Sequence, residues 1–165
     1  MTDQEHRLRL QRIERADDER IHALVAASDA YYEALYPPEN IHTEPLDALI
    51  GGAGAFFAGF LGPKAVACGA VKLLDDGIAY GEIKRLYVDE SRRGLGFAVQ
   101  IMQQLEHFVR DSGISTIRLE TGPRQPEALR LYRRLQYVQR GPFGNYRPDP
   151  LSIFMEKSLR LAAAR

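Results

Sequence analysis

Residues 93–98, Arg93-Gly94-Leu95-Gly96-Phe97-Ala98, stand between two segments of different period. Residues 81–88 before them read as a strand. Residues 95–112 after them read as a helix, with Ala98, Ile101, Met102, Leu105 and Val109 on one apolar face. Glycines at a strand-to-helix junction let backbone N–H groups surround a phosphate. The helix N-terminus adds partial positive charge at the same spot. A glycine turn without any ligand satisfies the same letters, so its neighbours have to decide.

The strand before the turn breaks its own rhythm. Ile83, Leu86 and Val88 are apolar at spacings of three and then two, whereas a regular strand keeps a period of two. One extra residue implies a β-bulge, which bends a strand and can part it from its neighbour.

The rest of the chain alternates strand and helix signals. Residues 8–13 read as a strand, and Asp17 or Asp18 can cap a helix that Pro37-Pro38 ends. Residues 45–50 read as a short helical turn. Residues 51–61 and 64–74 read as strands joined by Gly62-Pro63, and Asp75-Asp76-Gly77 leads into the irregular strand. After the long helix come a strand over 115–121, a helix over 125–135, an extended piece from Tyr137, and a loop over 141–150 rich in Gly and Pro. A strand over 151–157 and a frayed tail over 158–165 complete the chain.

The chain has 165 residues, enough for one domain with a real core. A single domain over residues 1–165 is expected. Its 22 basic and 22 acidic residues cancel, which argues against a dedicated nucleic-acid binder. The one cysteine, Cys68, lies in an apolar run and reads as a buried thiol. The polar N-terminus has no secretory pattern, and no apolar run reaches membrane-span length. A cytoplasmic protein with no membrane partner is expected. His6, His22, His42 and His107 are not clustered with other ligands, so no metal is expected.

Three elements in order carry a family resemblance. They are the strand Gly81-Glu82-Ile83-Lys84-Arg85-Leu86-Tyr87-Val88-Asp89, the turn with Arg93, Gly96 and Ala98, and the helix Pro126-Glu127-Ala128-Leu129-Arg130-Leu131-Tyr132. Over residues 8–157 the layout resembles the GCN5-related N-acetyltransferase (GNAT) superfamily. The resemblance implies an α/β (α+β) GNAT fold. Its mostly antiparallel sheet would have about six to seven strands, bulged and splayed at the cofactor strand, with about four flanking helices. It implies acetyl-coenzyme A as cosubstrate. By position, the amides of Arg93, Gly94, Leu95, Gly96, Phe97 and Ala98 would hold the pyrophosphate. Leu86, Tyr87 and Val88 would offer backbone groups to the pantetheine arm, with a Val88 N–H near the oxyanion. Gln125 stands where the family often has Asn, and Gln136-Tyr137 stands where it often has Gly-Phe, so the usual glycine C-cap is absent.

Acetyl transfer to an amine needs a base that removes the ammonium proton and an acid for the departing thiolate. Glu82 matches the family's base position; a glutamate paired with Lys84 is the alternative. Tyr132 matches the acid tyrosine; packing on an apolar helix face is the alternative. The acceptor pocket implied by the fold lies between Tyr31, Tyr32, Tyr36 and Glu39 on one side and Phe143, Gly144, Asn145 and Tyr146 on the other. Asp29, Glu33 and Glu39 can attract a cation, whereas Arg140 and Arg147 can hold a carboxylate. A small primary amine is the leading acceptor. A protein N-terminus or lysine is the second reading, and a non-catalytic acyl-coenzyme A binding or sensing module the third. Family habit alone suggests a homodimer.

Overall fold

The computed structural model describes residues 7–161. Its elements are β1 (Arg9–Ile13), α1 (Glu19–Leu35), α2 (Leu46–Ile50), β2 (Ala55–Leu61), β3 (Lys64–Asp75) and β4 (Ala79–Val88), then α3 (Phe97–Asp111), β5 (Thr116–Thr121), α4 (Pro126–Arg134), β6 (Val138–Arg140) and β7 (Ile153–Ser158). The strands form one seven-stranded sheet in the order β1-β2-β3-β4-β5-β7-β6. Every neighbouring pair is antiparallel except β4 and β5. The mixed α/β architecture expected from the sequence is thus present.

Both faces of the sheet are covered. In β2 the run Ala55-Phe56-Phe57-Ala58 sends alternate residues to opposite sides. Ala55 and Phe57 join a core built on α3 and α4, with Ile101, Met102, Leu105 and Leu131. Phe56 and Ala58 join a core built on α1 and α2, with Ile21, Leu24 and Leu49. On α3, Ile101, Met102, Leu105 and Val109 are fully buried. Each such side chain contributes roughly 1.5–3 kcal/mol of transfer free energy, which is why the period-3.6 stripe fixes the helix on the sheet.

Two charges inside the fold are paired, as burial requires. Glu106 on α3 accepts from Lys157 Nζ at 2.9 Å and from Tyr137 Oη at 2.9 Å, joining α3 to β7. Arg118 on β5 donates to Glu156 Oε2 at 2.7 Å and to Asp76 Oδ2 at 2.9 Å, with its guanidinium over the Tyr80 ring.

The expected bulge lies in β4. Cys68 pairs with Tyr87 and Ala70 with Lys84, so Arg85 and Leu86 together oppose Gly69. Arg85 takes a left-handed φ of 51°. β4 and β5 pair only at Gly81↔Ile117 and Glu82↔Arg118; beyond that point they part, and a wedge opens between them.

Several boundaries moved for local reasons. The helix after the glycine turn begins at Phe97 rather than Leu95, because Gly96 has φ 83° and cannot be helical. β2 begins at Ala55, since residues 51–53 form bends and Gly52 has φ 92°. The expected fraying at Ser158 does not occur: Leu159 is buried and its N–H donates to Ser115 O at 2.7 Å. Residues 162–165 of that tail lie outside the described residues, as does His6.

Gln136 occupies the left-handed position after α4, with φ 72°. A non-glycine residue there costs ~1–2 kcal/mol, part of which glycine returns as chain entropy. Gln136→Gly is therefore expected to stabilise the protein by ~0.5–1 kcal/mol. Urea unfolding should show a higher midpoint at unchanged m-value.

Candidate active site

The wedge between β4 and β5 holds two spaces that meet at its centre. One is a cleft of about 470 Å³ between the glycine turn and α4. All the residues expected on the donor side line it except Leu95, whose side chain packs against the core. Gly94 and Gly96 both have positive φ, and a Cβ at either would meet nothing within 4 Å. Helix α3 has no side-chain cap and no acidic residue in its first turn. Its leading amides and partial positive charge therefore face an open cleft, the environment a phosphate needs. Arg92 and Arg134 add cationic side chains to the same lining. The Arg93 side chain does something else. Its Nε donates to Val88 O at 3.2 Å, and its guanidinium lies 4.7 Å from the Tyr31 ring centre and 5.6 Å from that of Tyr87. It pins the turn to β4 and α1.

The second space is a small chamber of about 80 Å³ on the other side of the wedge. Tyr32, Leu86, Gln125 and Tyr132 line both cleft and chamber. Two ligands entering from opposite sides would touch there. Tyr32 Oη donates to Leu86 O at 3.0 Å, which holds α1 against the bulge. Tyr132 is 6% exposed, and burial pushes its phenol well above the ordinary range, so it keeps its proton at neutral pH.

Glu120 on β5 also lines the chamber. Burial raises its carboxyl to about 7, against a weaker opposing hydrogen bond from Ser152 and the Lys84 charge. A carboxyl poised near neutrality can both hold and release a proton at working pH. The sequence reading passed over Glu120. A signal was available: it is a carboxylate near the carboxyl end of a parallel strand, where α/β sheets bind ligands.

Glu82 lies in a different setting. It is 5% exposed, and its Oε2 accepts from Tyr146 Oη at 2.6 Å and meets Lys84 Nζ at 3.1 Å. It lines a groove outside the chamber rather than the chamber itself. The ion pair with Lys84 read from the sequence is present.

The acceptor-side expectations divide. Tyr32, Tyr36 and Tyr146 line the chamber; Tyr31 lines the donor cleft instead. Phe143 is buried with Tyr80 and Phe154 and lines neither space. Asp29 is committed to Arg85, and Arg140 to Glu156. Asn40, Ile41, His42 and Thr43 also line the chamber, so of the two histidines expected to approach an acceptor pocket His42 does.

Two further contacts set the chamber's shape. The buried Arg85 guanidinium donates to Asp29 Oδ1 and to Glu44 O, each at 2.8 Å, which ties α1 and the loop before α2 to the bulge. Across the mouth, Tyr36 Oη accepts from the Arg124 N–H and donates to Gln125 Oε1, each at 3.2 Å. Cys68 is buried and pushed up to about 12, so it remains a thiol.

The sequence profile of the Acetyltransferase (GNAT) family matches residues 17–137. A protein of Azospirillum brasilense named IAA acetyltransferase is 38% identical over 136 residues, covering 82% of this chain and 88% of that one. The uncharacterized N-acetyltransferase YsnE of Bacillus subtilis is 34% identical, covering 74% and 82%. Among solved structures, a candidate acyl-CoA N-acyltransferase from Klebsiella pneumoniae has a TM-score of 0.75 at 35% identity, with 94% of this chain and 99% of that one covered. The PaiA N-acetyltransferase of Thermoplasma acidophilum, solved with coenzyme A, shares the fold at a TM-score of 0.70 and 15% identity, covering 91% and 99%.

Gly122 makes the Tyr36 latch possible, because a Cβ there would lie 2.0 Å from the Tyr36 hydroxyl. Gly122→Ala should overpack the mouth and cost ~1–3 kcal/mol, measured by denaturant unfolding.

Proposed function

Because the chain belongs to the Acetyltransferase (GNAT) family, we propose that it transfers an acetyl group from acetyl-coenzyme A to a primary amine of a small molecule, by direct attack in a ternary complex. The observation that carries this reading is the junction of cleft and chamber, where buried Tyr132 adjoins both and Glu120 lines the chamber with a carboxyl near 7. The chamber's small volume suits a compact reacting end of the acceptor. The Azospirillum relative's name points the same way.

Acetyl-coenzyme A supplies an activated acetyl thioester. Its phosphates are assigned to the amides of residues 93–98, with Arg92 and Arg134 nearby. The pantetheine arm is assigned to the backbone of Leu86, Tyr87 and Val88, and Gln125, held by Tyr36, lines the junction with the acceptor chamber. No metal takes part in this scheme.

On the acceptor side, an alkylammonium must lose a proton before it attacks. Glu120 accepts that proton once ionised. Glu82, the base expected from the family pattern, acts in this reading from behind, by fixing Tyr146 and Lys84. Tyr132 retains its proton until the thiolate leaves, and then donates it. The Val88 N–H is assigned to the developing oxyanion.

The sign of the pH dependence follows from Glu120. Its carboxylate form, the one that accepts a proton, prevails above pH 7 and is lost below it. Log kcat/KM should therefore fall with unit slope below about 7. Glu120→Gln should remove that arm and lower kcat/KM by about 100-fold or more at neutral pH. The acceptor amine's own ionisation stays in both profiles. A Glu120→Gln variant with wild-type kcat/KM at neutral pH would move the base role back to Glu82. Tyr132→Phe should lower kcat by roughly 10-fold to 100-fold at unchanged melting temperature. Wild-type turnover in that variant would leave Tyr132 a packing residue. Calorimetric binding of acetyl-coenzyme A without thiol release on any amine or peptide would instead mark a binding module.

A further inference from the structure

β4 and β5 share no ladder beyond Glu82↔Arg118, so backbone pairing does not fix the width of the wedge. Side chains from the end of α1 span it instead. Tyr32 lies in the last turn of the helix. Tyr36 caps it four residues later, its N–H donating to Tyr32 O at 3.0 Å. The Tyr32 phenol reaches β4, and the Tyr36 phenol reaches the loop after β5. The side chain of Gln125 lies between the two.

The hydrogen bonds at the two ends can run in one direction only. At Tyr36 the partner is the backbone N–H of Arg124, which can only donate, so the hydroxyl accepts there at 3.2 Å. Its single proton goes to Gln125 Oε1, also at 3.2 Å. At Tyr32 the partner is Leu86 O, which can only accept, so that hydroxyl gives its proton there at 3.0 Å. Only its lone pairs remain for the neighbouring amide, which meets Tyr32 as a donor. Both ends therefore demand the same orientation of Gln125, with the carbonyl toward Tyr36 and the NH2 toward Tyr32. An amide nitrogen carries two N–H groups, and Tyr32 takes one. The second serves the junction, where Gln125 lines cleft and chamber alike.

The residue type matters. Gln125 is the N-cap of α4, yet its side chain makes no capping bond. An Asn at an N-cap tends to fold back onto the first amides of its own helix. The extra methylene of Gln carries the amide past them to the phenols. The latch is itself held, since Arg124 Nη1 donates to Leu35 O at 2.6 Å and so closes the carboxyl end of α1.

We propose that Tyr36 is a positioning residue for the acyl donor. It turns the Gln125 amide so that one N–H meets a carbonyl of the pantetheine arm, and the pair rather than Gln125 alone holds that arm at the junction. Tyr36 lines the chamber and not the cleft, so its effect on the donor passes through Gln125. The inference rests on the donor assignment above. It goes further by making donor affinity depend on an acceptor-side residue.

The experiment measures, by calorimetry, binding of acetyl-coenzyme A and of adenosine bisphosphate, the fragment of coenzyme A that lacks the arm. Tyr36→Phe keeps the ring and removes the hydroxyl. It should weaken acetyl-coenzyme A by about 3-fold to 10-fold, the range of one neutral hydrogen bond, and leave the fragment's affinity unchanged. In turnover, KM for acetyl-coenzyme A should rise while kcat stays near wild type. Gln125→Asn should show the same loss, because the shorter amide does not reach Tyr36. Tyr36→Phe/Gln125→Ala should bind no more weakly than Gln125→Ala, since the phenol acts through the amide. Wild-type affinity for acetyl-coenzyme A in Tyr36→Phe or Gln125→Asn overturns this proposal alone. So does a parallel loss of the fragment in Tyr36→Phe, or additive losses in the double variant. Failure of the unaltered protein to bind acetyl-coenzyme A overturns the donor assignment, and this proposal with it.

Discussion

The break in β4 is the constraint on which the site depends. Two residues, Arg85 and Leu86, stand where one would fit, and Arg85 takes a left-handed conformation that costs ~1–2 kcal/mol in a non-glycine residue. The same side chain then secures the strain. Its guanidinium is buried against Asp29 and the Glu44 carbonyl, so the bend in the strand, the position of α1 and the course of the loop before α2 are set together. Past Glu82 the strand leaves β5, and the cleft and the chamber both exist because of that departure. A straight β4 would close the sheet and remove the junction between them.

Environment divides the labour among similar side chains. Glu82 and Glu120 lie on neighbouring strands. One meets a lysine and a phenol within hydrogen-bond distance; the other is desolvated with weaker compensation and rises to about 7. Two carboxyls whose surroundings differ in this way are suited to different tasks, which is the basis for assigning the proton to Glu120 in the proposed mechanism. The tyrosines divide similarly. Tyr32 and Tyr36 hold the bulge and the loop before α4, Tyr146 joins Glu82 to Lys84, and Tyr132 alone among them has a buried phenol bordering both spaces with no structural hydrogen bond assigned to it.

Much of the fold was legible because its signals are local. The 3.6 period of α3 depends on residues within a few positions of each other, and so do the left-handed glycines of the turn, the Asp18 cap of α1 and the broken alternation in β4. Even the missing glycine after α4 left a trace, since Gln136 takes the conformation that glycine would have taken. The donor side of the site inherits this legibility, being built almost wholly from one contiguous turn and the strand before it. The acceptor side does not. Phe143 and Tyr146 are three residues apart in one loop and their rings touch, yet Tyr146 lines the chamber and Phe143 does not.

The sequence by itself determined the order of elements, the place of the bulge and the left-handed glycine turn, since each follows from steric or hydrogen-bonding preferences of adjacent residues. Tertiary structure decided which groups are desolvated and which are paired. Tyr146 reaches Glu82 across 64 positions of sequence, and Tyr36 reaches Gln125 across 89. Burial is a property of the packed assembly rather than of any segment. The desolvation of Glu120 and the pairing of Glu82 with Tyr146 therefore have no local signature.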